Sequence, residues 1–600
     1  VSALSDANCP SSLAANRTGT ATITGKAWNS ISTSDWSNAA NWLPVGVPSN
    51  TDCVTIGVSA YPPVVTGATY TALAGRLSLA NGATLVVNAG NSLIVTDEIT
   101  VGTGGNITLL DDANLIQITN VATNNNVGNN NSVTYTRIAT LRNYDYIYWS
   151  SPFESLYTYQ FSPTSGINYI YKWDTNATNN NGGQGKWAAG NDFGAPAVKG
   201  KGYIVRGPSG HPATPTNYTF SFSGKPNNGL VDIPALKGTI STGLTGTNGF
   251  PITAEDDNWN LLGNPYPSSI DADTFISANG VLDGFVKIWS HGTQIGPNGA
   301  SFYGSAQLSY AASDYITYTP GSGSVPPGYN GKIASGQGFF VNLLESEASG
   351  EMIYFDNTMR YSTVTTPHDN AQFYRQAEEQ KDRLWLNIIN QNNSKLTTLI
   401  GYFEGATNGK DRIYDAFGDN ESNYTIYSKI GNDAYTIQGR PPFDINDRVN
   451  IGYKAPEVGT YQIGIDTAEG IFADATQNIY LEDTSNGIIH DLRATPYSFT
   501  SQTGSFENRF VLRYTNANLG TNDNTINNTF SYIKNNYINI QSTESIAQVE
   551  VYDVSGKLLS STVLNGDSTT FREVFNYPNG VYLAKIKLSS GLVITRKVVN

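Results

Sequence analysis

From Leu77 to Ile118 apolar residues recur in short pairs: Leu77/Leu79, Leu85/Val87, Leu93/Val95, Ile99/Val101, Ile107/Leu109 and Leu115/Ile118. Asn-Gly, Ala-Gly, Gly-Gly and Asp-Asp turns divide them. Alternation with period two marks strands. Strands this short and evenly spaced predict a β-solenoid, rung stacked on rung; a meander sandwich is the plainer alternative. Trp28, Trp36 and Trp42 lie just upstream. The polar run "NVATNNNVGNNNSVTY" that follows carries nothing to bury and predicts a linker after a first segment, 1–130.

The middle of the chain reads as a degenerate repeat of four blocks. The first copy runs "YIYWSSPFESLY", "INYIYKWD", "VKGKGYIVRG", "YTFSFSGKPNNG"; the second runs "WNLLGNPYPSSID", "GFVKIWS", "IASGQGFFVNL", "EMIYFDNTMRY". Each copy has a strand leading into a Pro turn, a strand ending in Trp173 or Trp289, a Gly-x-Gly-aromatic strand, and an aromatic-alternating strand. Two related β units are expected, 133–245 and 246–365, packed together or in tandem. Eight further strand-like runs between 372 and 515 predict a sandwich or jelly roll. After a second polar link, residues 526–600 read as six or seven strands of a small antiparallel sandwich. Its last hairpin places Val581, Leu583, Lys585 and Lys587 on one parity and Tyr582, Ala584, Ile586 and Leu588 on the other. The expected class is therefore all-β throughout.

Composition narrows the partners. Only 14% of the 600 residues are charged, against roughly 25% in an ordinary soluble protein. Gly (59) and Tyr (36) are abundant. The formal charge is −14 with no basic stripe, which argues against a nucleic-acid partner. No run approaches the roughly eighteen apolar residues of a membrane-spanning helix. The opening "VSALSDANCP" reads as a form from which an export signal has been removed. Cys9 and Cys53 are the only cysteines. An even count confined to one segment favours a disulfide over two buried thiols, and the loop would contribute about 4 kcal/mol in the chain-entropy model.

The search for chemistry finds little. The four histidines are isolated, and no zinc spacing, nucleophile elbow or phosphate loop occurs. No catalytic residue is assigned, and the chain reads as a non-enzyme; carboxylates converging in the fold for glycoside hydrolysis remain the alternative. Asp256, Asp257, Asp271 and Asp273 flank the second Pro turn and offer oxygen ligands to a Ca²⁺, or form a solvated acidic loop. No other cofactor is implied. Trp187, in a Gly-rich stretch, and Tyr303, in "GASFYGS", are the rings expected in loops, where they could stack on a sugar or anchor a partner.

The end of the chain resembles a known family. "VEVYDVSGKLL", "PNGVYLAKI" and "TRKVV", in that order, resemble the C-terminal sorting domain of proteins exported by the type IX secretion system of Bacteroidetes, nearest to the variant labelled type C. The segment "RLWLN…GATNGKDRIYDA…IQGRPPFD" is similar to the region that accompanies this signal in large flavobacterial surface proteins, and the Trp-rich opening to a segment that begins solenoids there. The resemblance implies that residues 526–600, with Gly580, Tyr582, Gly591 and Lys597, are read by the type IX translocon and its outer-membrane shuttle and attachment proteins. Against this, the two glycines serve turns, Tyr582 the core, and Lys597 guards a strand edge. The implied protein is an extracellular adhesin or surface-binding protein, gliding motility included, meeting a surface glycan or a host or substratum ligand. The alternative is a secreted glycan-binding or polysaccharide-degrading protein.

Overall fold

A computed structural model describes residues 5–6, 9–10, 25–143, 145–165, 169–189, 194–239, 244–247, 251–290, 296–297, 308–309, 314–370, 381–418, 422–516, 529–534, 536–564, 567–591 and 593–600. Strands dominate, and the one α-helix among the described residues is Ala272–Ala278. The all-β class holds.

Three parallel sheets form the sides of an N-terminal solenoid. One stacks Thr71–Ala74, Ser92–Val95 and Asn114–Gln117; the second includes Cys53–Ile56, Arg76–Leu79 and Ile99–Val101; the third Val64–Val65, Thr84–Val87 and Asn106–Leu109. Aligned residues such as Ala72, Leu93 and Leu115, or Val54, Leu77 and Ile99, lie 21 to 23 positions apart, one rung each. The predicted pairs point inward and are buried. The last pair needs correction, because Val95 aligns with Gln117 rather than Ile118. Gln117 fills the core position as a polar residue by exchanging hydrogen bonds of 2.8 and 2.7 Å with the Asn126 side chain. At the other end Trp36 and Trp42 are fully buried with ring centroids 4.7 Å apart, and Trp28 packs on Trp42 at 5.0 Å. Cys53 is buried and disulfide-bonded; Cys9 lies on the strand Cys9–Pro10.

The polar run after the solenoid is not a linker. Val127 bridges Thr100 as a partial fourth rung, and Asn126 is buried, accepting from Ile99 N at 2.9 Å and donating to Pro226 O. Asparagine side chains replace backbone ladder partners there, which a search for apolar residues misses. The third solenoid face then continues without a break: Ile107 pairs in parallel with Val133, and the strand Val133–Leu141 pairs antiparallel with Thr216–Pro226.

The first three blocks of each repeat copy build sheets of one strand order. Tyr146–Trp149 pairs with Tyr203–Arg206, which pairs with Ile170–Thr178; likewise Trp259–Gly263 pairs with Gly338–Asn342, which pairs with Val286–Trp289. The two sheets clasp each other reciprocally. Ser150 N donates to Gly336 O (2.7 Å) and Gly263 N to Gly200 O (2.9 Å). Trp173 Nε1 donates to Trp259 O (2.7 Å) and Trp289 Nε1 to Tyr146 O (3.0 Å). Fourth blocks diverge: Thr216–Pro226 joins the solenoid sheet, whereas Met352–Phe355 pairs with Val231–Pro234 across the expected boundary at 245/246.

The segment expected as a separate sandwich, 372–515, forms one eleven-stranded sheet with a core on one side. Its halves join through a parallel pair, Leu399 beside Ile437. Trp385, Leu399, Phe417 and Ile437 share a second core with Phe285 and Val325 of the repeat region. Arg412 donates to the carbonyls of Ile276, Asn279 and Leu282 at the helix C-terminus, at 2.7–2.9 Å. The boundaries expected at 130/133, 245/246 and 365/372 thus do not separate cores, and the chain up to Thr515 is one compact unit. Residues 516–600 form a second. In it a three-stranded sheet (Phe530–Lys534, Tyr537–Gln541, Thr570–Val574) and a four-stranded sheet (Leu558–Val563, Ile546–Asp553, Val581–Leu588, Val593–Val599) enclose a core of their own.

Candidate functional site

In the terminal unit, strand parity sorts the last hairpin into two faces. Tyr582, Ala584, Ile586 and Leu588 are buried with Ile594 and Val598. Tyr582 also donates from its hydroxyl to Pro578 O at 2.6 Å and packs on Phe575. Gly591 occupies the hairpin turn at φ 91°, a conformation that side chains resist. Gly580 exchanges backbone hydrogen bonds with Asn600 (3.2 and 3.0 Å), so the ladder runs to the final residue. Only Lys597, of the four expected signal residues, displays its side chain. The outward parity carries the rest of the exposed chemistry: Val581 pairs with Val599, Leu583 with Lys597 and Tyr552, and Lys585 with Thr595 and Glu550. Val581, Leu583, Val593 and Val599 are all exposed. An apolar patch edged by lysines on a solvent-facing sheet is what a docking surface requires, and the reading of individual signal residues missed it while the parity of the hairpin already marked it.

The remaining expected residues fall elsewhere. Trp187 is not in a loop: it sits on the strand Gln184–Ala189, opposite Trp173. It is partly buried between the two repeat sheets, 5.1 Å from Trp173 and 5.8 Å from Phe340. Gly185, at φ 93°, lets the strand lie over the Trp173 ring, which a Cβ there would strike at 2.4 Å. Tyr303 lies outside the described residues.

Asp256, Asp271 and Asp273 each have structural partners. Asp256 and Asp257 end a short 3₁₀ helix and are buried; Asp256 accepts from Thr253 N and Oγ1 at 2.9 and 3.0 Å. Asp271 caps the helix Ala272–Ala278 and pairs with Lys332 at 3.0 Å. Asp273 accepts from the Tyr318 hydroxyl at 2.7 Å, and burial raises its pKa. Among the described residues no group of three or more His, Cys, Asp or Glu is gathered to hold a metal ion.

A pocket absent from the sequence reading lies where the repeat region meets the eleven-stranded sheet. It holds about 250 Å³. One wall comes from neighbouring strands: Lys287 pairs with Thr317, and Thr317 with Val325. Tyr315 and Pro326 extend it. The other wall carries Thr397, Thr425, Thr436 and the ion pair Lys395–Asp466 at 2.7 Å. The Lys287 ammonium rests 4.5 Å from the Trp259 ring centroid, a cation–π contact. Sequence separation hid this site, since its walls come from residues 287–326 and 395–466.

A family model described as "Domain of unknown function (DUF8693)" matches residues 27–514, nearly the whole first unit. The chain belongs to this family. A second model, "Domain of unknown function (DUF8694)", matches residues 519–600. The division between the two models agrees with the structural one after Thr515. No curated protein matches the chain. Among solved structures, a chain described as "Biofilm associated protein - BSP domain" aligns with 77% of this chain and 96% of its own, at 9% identity and a TM-score of 0.12.

Proposed function

We propose that this DUF8693 chain is an exported cell-surface binding protein whose terminal sandwich is its export address, read by a type IX translocon. The observation that carries the reading is the separateness of residues 516–600: a compact unit with its own core, bearing an outward face of Val581, Leu583, Val599 and Lys597. A sheet face that its own unit leaves uncovered suits a transient partner. The preceding 515 residues are the cargo, and the low charge of the chain, 14% of its residues, suits the outside of a cell.

Localisation tests this. The full chain is expected at the surface of a type IX-competent host and the chain lacking 516–600 in the periplasm. Leu583→Glu combined with Lys597→Glu is expected to give the same retention while the isolated terminal unit keeps its melting temperature. Arrival of the truncated chain at the surface would refute the address.

A further inference from the structure

We propose that the pocket between the repeat region and the eleven-stranded sheet binds a single sugar ring, the pyranose at the exposed end of a glycan. Its volume, about 250 Å³, lies just under the roughly 300 Å³ at which sites for drug-sized ligands begin. One ring fits and a chain of rings does not. The walls match the chemistry of such a ring. Thr317 and Thr436 line the pocket with hydroxyls that bond to no described residue, so each can donate to and accept from a ring hydroxyl. At the mouth, where Lys395 is half exposed, the Lys395–Asp466 pair offers a donor beside an acceptor, the arrangement that two adjacent sugar hydroxyls require. Val325, Pro326 and Leu396 supply an apolar surface for the C–H face of the ring. An apolar ligand would leave the threonine hydroxyls without partners.

The inference goes beyond the export reading and does not rest on it, because it concerns the purified chain in solution. Saturation-transfer NMR on the full chain with methyl glycosides of glucose, galactose, mannose and N-acetylglucosamine tests it. At least one is expected to receive saturation. The Thr317→Val/Thr436→Val double variant is expected to weaken that glycoside at least about tenfold, as loss of two hydrogen bonds implies, with an unchanged melting temperature. Trp187→Ala, in the aromatic layer between the repeat sheets, is expected to leave binding intact. Absence of transfer to all four glycosides overturns the proposal, as does transfer unchanged in the double variant. Loss of binding in Trp187→Ala with retention in the double variant would move the site to the aromatic layer and overturn it equally.

Discussion

Buried charge in this molecule is met at some sites by neutral groups and at others by ion pairs. Arg360 is fully buried at the end of the solenoid, where its guanidinium donates to Ser268 Oγ (2.9 Å), Asn357 Oδ1 (2.9 Å) and Leu115 O (2.6 Å) and lies 4.5 Å from the Tyr266 ring centroid. Burial draws its pKa down to about 10, so it stays charged at neutral pH. Asp415 is the acidic counterpart. It is buried beside the loop that carries Arg412, accepts from Asp411 N and Gly439 N, and burial pushes its pKa up to about 7. A carboxyl raised in the folded state binds its proton more tightly there than in the unfolded chain. Its stabilising contribution is complete below the ordinary carboxylate range and is lost as pH rises from about 4 through about 7. At about 1.4 kcal/mol per pKa unit the loss amounts to about 2–4 kcal/mol. Asp112, raised to about 6, acts in the same sense, and His368, lowered to about 4 by burial, in the opposite one. The comparison must therefore be with Asp415→Asn. Denaturation midpoints of residues 1–515 at pH 5 and pH 8 are expected to fall more steeply in the native sequence than in this variant. Equal pH dependence in the two would contradict the assignment.

At the scale of elements, the Gly-x-Gly of each repeat copy has a steric cause. A Cβ on Gly202 would lie 2.5 Å from Leu262 O, and one on Gly338 would lie 2.9 Å from Tyr148 Cβ. Each motif therefore admits the first strand of the other copy. The equivalent positions Ser150 and Gly263 face each other so closely that a Cβ on Gly263 would fall 2.2 Å from Ser150 Cβ. Only one of the two can carry a side chain, which breaks the likeness of the copies where they meet. Gly202→Ala is expected to separate the two sheets or shift the backbone, at a cost of about 2 kcal/mol or more. It should register as a lowered denaturation midpoint and as loss of the near-ultraviolet dichroism of Trp173 and Trp289. A variant with the native midpoint would show that the strands do not need this approach. The repeat and its motif were legible in the sequence. Their reciprocity was not, because the bonds that define it run between blocks 60 to 190 residues apart, as from Ser150 to Gly336 or from Gly263 to Gly200.

For the whole molecule, the division after Thr515 makes a thermodynamic claim. The first unit shares cores across every boundary suggested by the sequence, whereas residues 516–600 enclose their own. Calorimetry of the full chain is expected to show two independent transitions, one reproduced by residues 516–600 alone and the other by residues 1–515 as a single cooperative event. Separate melting of a solenoid fragment within 1–515 would contradict the fusion. Local pattern by itself determined the strands, the solenoid rungs and the two faces of the terminal hairpin. Each depends on alternation and turn residues within a few positions, where steric preference and burial act on the nearest neighbours. Only the tertiary structure decided that Asn126 and Gln117 occupy core positions, that Trp187 is clasped between sheets, and that Lys287 and Thr436 share a pocket. Those outcomes depend on which distant backbone supplies the missing hydrogen bond or covers the ring, and a chain read residue by residue carries no record of that partner.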